Sequence, residues 1–283
     1  MLKKAYIENG KVVVKNKSEL ISAPTVICLN ETSIIVGDDD SNLTMFDQRT
    51  LKKVFEQTGI HDDCITSVIA MEHKSKYQFL TSGSTTVALV DVRKGVIVKS
   101  DDQEDEILSG CLASEQTSMF GMSEGVVTLW KNDQLQDQRN RIRLSEESID
   151  CLISSEFDHK VYAGGADGWV RLVNSRSGKI ENQWQHSTEE EVIMLELDHE
   201  YKLVSAGMES LCLWSNEEGA GKDSEDDESE EEEENKDNDK SDSDSDSDEQ
   251  EKVQSKKRKK NKNNKKNPPT KKHIHGISSF EGL

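Results

Sequence analysis

Val161-Tyr162-Ala163-Gly164-Gly165-Ala166-Asp167-Gly168-Trp169-Val170-Arg171-Leu172 sets two short apolar runs on either side of a Gly/Asp turn. Gly and Asp supply the backbone conformations of a tight turn, and the flanking Val, Tyr, Trp and Leu suit a pleated, half-buried surface. The same phrase returns as Ile34-Ile35-Val36-Gly37 leading to Leu43-Thr44-Met45-Phe46-Asp47, and as Leu203-Val204-Ser205-Ala206-Gly207 leading to Leu211-Cys212-Leu213-Trp214. Two markers keep its beat. Cys28, Val68, Cys111, Cys151 and Met194 each sit in a short apolar strand, at successive spacings of 40, 43, 40 and 43 residues. Asp47, Asp91, Lys131, Asn174 and Ser215 close the third strand of each unit. A period just over forty with several short strands per unit predicts an all-β fold, a β-propeller with five recognisable repeats near 21–60, 61–100, 101–144, 145–186 and 187–216.

These residues resemble the WD-repeat family over about residues 10–216, in eroded form. Trp130 and Trp214 hold the family's tryptophan position, which Phe46, Val90 and Val173 fill elsewhere. Only Asp47 and Asp91 keep the aspartate that follows, and Gly-His survives as Gly59-Ile60-His61. No repeat carries the full His, Ser/Thr, Asp and Trp set, so the blades are degenerate.

The last unit runs from Trp214 directly into Asn216-Glu217-Glu218-Gly219, with no fourth strand. Residues 10–15, Gly-Lys-Val-Val-Val-Lys, match the fourth strands at Gly95–Lys99 and Gly178–Ile180. One expectation is that 10–15 is an orphan outer strand that completes the last blade and protects its edge. The competing expectation, which the erosion favours, is an arc truncated from a larger ring, seven blades being usual in the family.

Beyond residue 216 the composition changes abruptly. The segment 217–251 is acidic, 252–272 is basic, and both lack the apolar surface to offset chain entropy, so both are expected to be disordered. Lys256-Lys257-Arg258-Lys259-Lys260 reads as a nuclear-import or RNA-contacting run. Ser224, Ser229, Ser241, Ser243 and Ser245 each have an acidic residue three positions on, which suits phosphorylation by acid-directed kinases. Apolar residues return in 273–283, where Ile277, Phe280 and Leu283 are candidate anchors of a docking motif.

The five cysteines are odd in number and recur at repeat positions, which argues for small core residues in a reducing compartment. No catalytic motif stands out, and neither a cofactor, a metal site, a small-molecule substrate nor a membrane partner is expected. Asp38-Asp39-Asp40 reads as a turn rather than a cation site.

The order of divergent repeats, acidic Ser/Asp/Glu tract, Lys-rich run and apolar terminus resembles the nucleolar family of WD repeat-containing protein 55 and its fungal, Jip-type counterpart. That resemblance implies a non-enzymatic scaffold in the nucleus and nucleolus, acting in ribosome biogenesis and ribosomal RNA production, with ribosome-assembly proteins and pre-ribosomal RNA as partners. A second reading comes from Asp47-Gln48-Arg49 and Asp91-Val92-Arg93, which end the third strands of two consecutive units. They resemble the double Asp-x-Arg box of WD-repeat substrate receptors of cullin–RING ubiquitin ligases, with a cullin-ligase adaptor as partner. The plainer alternative is that each Arg pairs with its own Asp to hold a turn.

Overall fold

The protein is described here as a computed structural model covering residues 1–215 and 270–273, the latter four by their backbone. Five four-stranded antiparallel sheets follow one another along the chain. Blade 1 comprises β3 (Pro24–Leu29), β4 (Ser33–Asp38), β5 (Leu43–Asp47) and β6 (Lys53–Gln57). Blade 2 comprises β7 (Ser67–Ala70), β8 (Gln78–Ser82), β9 (Val87–Asp91) and β10 (Gly95–Lys99). Blade 3 comprises β11 (Ile107–Ser114), β12 (Thr117–Met122), β13 (Val126–Lys131) and β14 (Asn140–Arg143). Blade 4 comprises β15 (Ile149–Ser154), β16 (Lys160–Gly165), β17 (Trp169–Asn174) and β18 (Lys179–Gln185). Blade 5 comprises β19 (Met194–Leu197), β20 (Leu203–Ala206), β21 (Leu211–Ser215) and β22 (Thr270–His273). The fold is a five-blade all-β propeller, and the five residues expected to close third strands do close β5, β9, β13, β17 and β21.

The core lies between the blades. Strands alternate their side chains between two faces, so each sheet has two apolar surfaces to bury and uses its neighbours for both. Ile35, Leu43 and Met45 of blade 1 pack on Val68, Phe79 and Val90 of blade 2. Ile69 and Leu80 of blade 2 meet Ile107, Phe120 and Trp130 of blade 3. Val127 and Leu129 of blade 3 meet Ile149, Val161 and Val173 of blade 4. Tyr162, Val170 and Leu172 of blade 4 meet Leu195, Leu203 and Trp214 of blade 5. Phe120 and Trp130 add an edge-to-face contact, with centroids 6.1 Å apart and planes at 86°. Each such side chain, fully buried, contributes about 1.5–3 kcal/mol, so the interfaces between blades hold most of the apolar stabilisation.

Two expectations are corrected. Residues 10–15 do not complete the last blade: β2 (Lys11–Ser18) pairs with β1 (Leu2–Glu8) in a separate hairpin. The cause is local. Asn9 and Gly10 both take positive φ, 52° and 74°, the conformation of a two-residue hairpin turn, and a strand ten residues away costs far less closure entropy than one two hundred away. The hairpin lies against blade 1, where Lys4 Nζ donates to the carbonyl of Gln48 at 2.9 Å. The fourth strand of blade 5 comes instead from β22, which pairs Thr270 with Ser215 and His273 with Cys212. Residues 270–272, expected to be the disordered end of the basic tract, are therefore strand, because the edge of β21 offers unpaired backbone groups. The acidic tract and the remainder of the basic tract lie outside the described residues.

Proline at both Lys271 and Lys272 removes two backbone donors from the β22 ladder. Hydrogen exchange at the β21 amides is expected to accelerate by at least about tenfold, while the amides of blade 3 keep their protection.

Candidate partner-binding surfaces

Every blade turns at two ends. The loops from first to second strand and from third to fourth strand lie at one end; those from second to third strand and between blades lie at the other. Loops on such a scaffold are where propellers present their contacts.

The first end holds the Asp-x-Arg residues, and the two units differ there. In blade 2, Arg93 is committed internally: Nε donates to Asp91 Oδ1 at 2.8 Å and Nη2 to Oδ2 at 2.6 Å. Asp91 is 1 % exposed, and the Arg93 guanidinium holds its carboxyl far below the usual carboxylate range. The guanidinium also lies over the Tyr77 ring, 4.6 Å from its centroid. In blade 1, Asp47 instead accepts from the Thr50 amide at 2.8 Å and the Thr50 hydroxyl at 2.7 Å, and these lower its pKa. Arg49 is exposed and makes no ion pair among the described residues. Asn174 makes the same turn, accepting from the amides of Arg176 and Ser177 at 2.9 and 3.1 Å. The shared element is thus a third-strand Asp or Asn that caps a turn, and of the two box arginines only Arg49 stays available.

The second end has a different composition. Its loops carry Asp39, Asp40, Asp62, Asp63, Asp101, Asp102, Glu104, Glu106, Glu124, Glu146, Glu147, Glu189, Glu191 and Glu209, all exposed. Among the described residues these loops contain no lysine and no arginine. The cations that reach them come from strands, as in Lys99 with Asp62 at 3.5 Å, Arg143 with Glu146 at 3.6 Å and Arg141 with Asp105 at 3.6 Å. Asp150 shows the crowding: burial raises its pKa, and the carboxylates of Glu191 and Asp167 add to the rise. Loops at the other end mix both signs, for example Arg49, Lys52, Lys74, Lys76, Lys94 and Lys202 with Glu72, Glu156, Asp158 and Glu200. Carboxylates gathered on a rigid face and left short of counter-charge attract a cationic partner over about a Debye length.

Hydrogen bonds hold that acidic end in shape. Asp38 accepts from the amide of Asn42 at 2.8 Å and its side-chain amide at 3.0 Å, so the Asp38-Asp39-Asp40 run is a turn, as expected. His61, 4 % exposed, sits between Thr86 Oγ1 at 2.7 Å and Thr81 Oγ1 at 2.9 Å. His186 does the same in blade 5, with Ser205 Oγ at 2.8 Å and Ser210 Oγ at 2.9 Å, while Trp214 Nε1 donates to Ser205 Oγ at 2.8 Å. Blade 5 therefore has the His, Ser and Trp of the hydrogen-bonded set, without its Asp. Sequence reasoning missed His186. The signal was its spacing: it precedes Ser205 and Trp214 by nearly the intervals that separate His61 from Thr81 and Val90. Gly168 lets two loops close on each other; its φ is +74°, and a Cβ there would stand 2.3 Å from the Ser187 carbonyl oxygen.

The cysteines are free, and burial pushes the thiols of Cys111 and Cys151 up to about 12, as befits core positions. Among the described residues no group of His, Cys, Asp and Glu is arranged to hold a metal ion. Lys256, Lys257, Arg258, Lys259 and Lys260, the serines 224, 229, 241, 243 and 245, and Ile277, Phe280 and Leu283 lie outside the described residues.

No protein-family model matches the sequence. The chain is 37% identical over 244 residues to the WD repeat-containing protein JIP5 of Meyerozyma guilliermondii, covering 80% of this chain and 49% of that protein. It is 36% identical over 254 residues to JIP5 of Scheffersomyces stipitis, covering 77% and 47%, and 35% identical over 260 residues to JIP5 of Saccharomyces cerevisiae, covering 80% and 53%. The chain thus spans about half the length of the curated relatives it matches. Among solved structures, a chain of the mitotic checkpoint complex superposes with a TM-score of 0.62 at 15% identity, covering 73% of this chain and 65% of that one, a likeness of fold.

The buried histidine gives a pH test. Burial lowers the pKa of His61 from 6.5 to about 4, with Lys99 adding to the effect. The unfolded chain therefore binds the proton first, and stability present above pH 6.5 is lost as the pH falls towards 4. The loss at this site is on the order of 3 kcal/mol, and His61→Gln flattens that part of a denaturation-midpoint profile.

Proposed function

This chain belongs to the WD-repeat family and resembles its JIP5 members, and on that premise we propose that it is a non-enzymatic scaffold of ribosome biogenesis whose acidic loop end receives basic proteins. The observation that carries the reading is the segregation of charge: one end of the blades is lined by exposed carboxylates without a loop lysine or arginine, and the other is mixed. Ribosomal proteins and the assembly factors that handle them are rich in Lys and Arg. A rigid acidic face would speed their capture and shield their charge from RNA.

The remaining features suit that role. The buried polar groups His61, His186, Ser205 and Asp91 are each engaged in bonds that fix loops, and such groups serve a binding surface rather than a reaction. The Lys256–Lys260 run supplies nuclear and nucleolar import, or contact with pre-ribosomal RNA, and phosphorylation at Ser224, Ser229, Ser241, Ser243 and Ser245 would deepen the negative charge of the tract before it. A second reading, substrate receptor of a cullin–RING ubiquitin ligase, has one observation in its favour: Arg49 is exposed and uncommitted at the end opposite the carboxylates.

The readings separate by charge reversal. Asp62→Lys, Asp102→Lys and Glu146→Lys together are expected to weaken binding to ribosome-assembly proteins by at least about tenfold and to lessen its salt dependence. Arg49→Glu should leave that binding intact. If Arg49→Glu abolishes co-purification of a ligase adaptor, and the carboxylate reversals change nothing, the scaffold reading fails and the ligase reading replaces it.

A further inference from the structure

Blade 5 leaves one face of its sheet bare. Cross-strand pairs put Met194, Ala206 and Leu211 in one row and Leu195, Ser205 and Cys212 in the next. Opposed residues of an antiparallel pair point to the same face, and successive rows alternate. The row of Leu195, Ser205 and Cys212 is buried against blade 4. The other row looks outward: Met194 is 56% exposed and Leu211 43%, with Ile193 at 43% and Met208 at 75% beside them. In each earlier blade the equivalent face is covered by the blade that follows.

The direction of β22 indicates what covers it. That strand runs from Thr270, opposite Ser215, to His273, opposite Cys212. One further step in the same register brings Ile274 opposite Leu211, into the exposed row. The residues that follow, Ile274-His275-Gly276-Ile277-Ser278-Ser279-Phe280-Glu281-Gly282-Leu283, place an apolar side chain at every third position. They carry one acidic residue and no lysine or arginine, unlike the two tracts before them. Ten residues reach up to about 33 Å, whereas a four-stranded sheet is only about 15 Å across, so the segment can recross the blade. A second copy is the weaker occupant, because a formal charge of −20 per chain opposes self-association through a face that borders the acidic loops.

We propose that residues 274–283 fold back over the exposed face of blade 5, with Ile277, Phe280 and Leu283 covering Met194, Met208 and Leu211. The segment then acts as the cover of the last blade, a role separate from the partner binding proposed above. Gly276 and Gly282 give the backbone the freedom to turn at either end of the apolar stretch.

Methyl NMR of the seven methionines tests this in the full chain, with Met194 and Met208 assigned by Met→Leu substitution. Phe280→Asp with Leu283→Asp should shift both methyls and raise their broadening by a soluble paramagnetic probe at least about twofold, the range over which exposure changes on uncovering. Met45, Met71, Met119 and Met122, which are buried, should not move. A chain ending at His273 should give the same change, reversed by adding a synthetic peptide of residues 274–283; if that chain does not fold, the Asp pair decides. The proposal is overturned if neither methyl responds to the Asp pair. It is equally overturned if the shifts follow protein concentration, since a second copy is then the occupant.

Discussion

Burial between neighbouring blades is the constraint on which the rest of the structure depends. A four-stranded sheet of this kind cannot shield either face alone, so each blade is stable only through the rows it shares with its neighbours. Ile35 and Leu43 need Val68 and Phe79, just as Tyr162 and Val170 need Leu195 and Trp214. The loops inherit their positions from this stacking. Equivalent turns recur at one end of every blade, so a bias in loop composition becomes a surface property. Carboxylates dispersed through the sequence are gathered into one face by the repeat.

Polar bonding then fixes the loops that the stacking has placed. His61 and His186 each bridge hydroxyls on the strands beneath them, and Asp91, Asp47 and Asn174 each cap a turn at the opposite end. The eroded WD signature is accounted for in these terms. Where Trp is replaced by Phe46 or Val90 the apolar contact survives and the indole bond is dropped. Where His is retained it is fully bonded. Blades 2 and 5 keep the more complete networks, and both bring an acidic loop close to the histidine.

The architecture was legible in the sequence because it repeats. The period, the first-strand markers and the third-strand closers are each reinforced five times, so substitution at one blade does not hide the beat. Single, non-local events were not legible. The partner of residues 10–15 depended on whether a local Asn9-Gly10 turn would outcompete a distant edge, and motif matching does not weigh closure entropy. Thr270–His273 has little strand propensity of its own and stands behind a long charged tract, so only the unsatisfied edge of β21 explains its pairing. The Asp-x-Arg spacing suggested one shared device, whereas the structure divides it: Arg93 is bound to Asp91, and Arg49 is free of Asp47. The acidic end was hidden for another reason. Its residues come from alternate loops, and strand pairing must be known before those loops can be assigned to one side.

The central claim is that the acidic loop end is the surface on which partners sit. The most direct measurement is zero-length carbodiimide cross-linking of the tagged protein in isolated pre-ribosomal particles, read by mass spectrometry. Such links join a carboxylate to a lysine in direct contact. Links from Asp39, Asp62, Asp102, Glu146 and Glu189 to lysines of ribosome-assembly proteins are the predicted result. Links confined to the opposite end, around Glu72, Glu156 and Asp158, would contradict it.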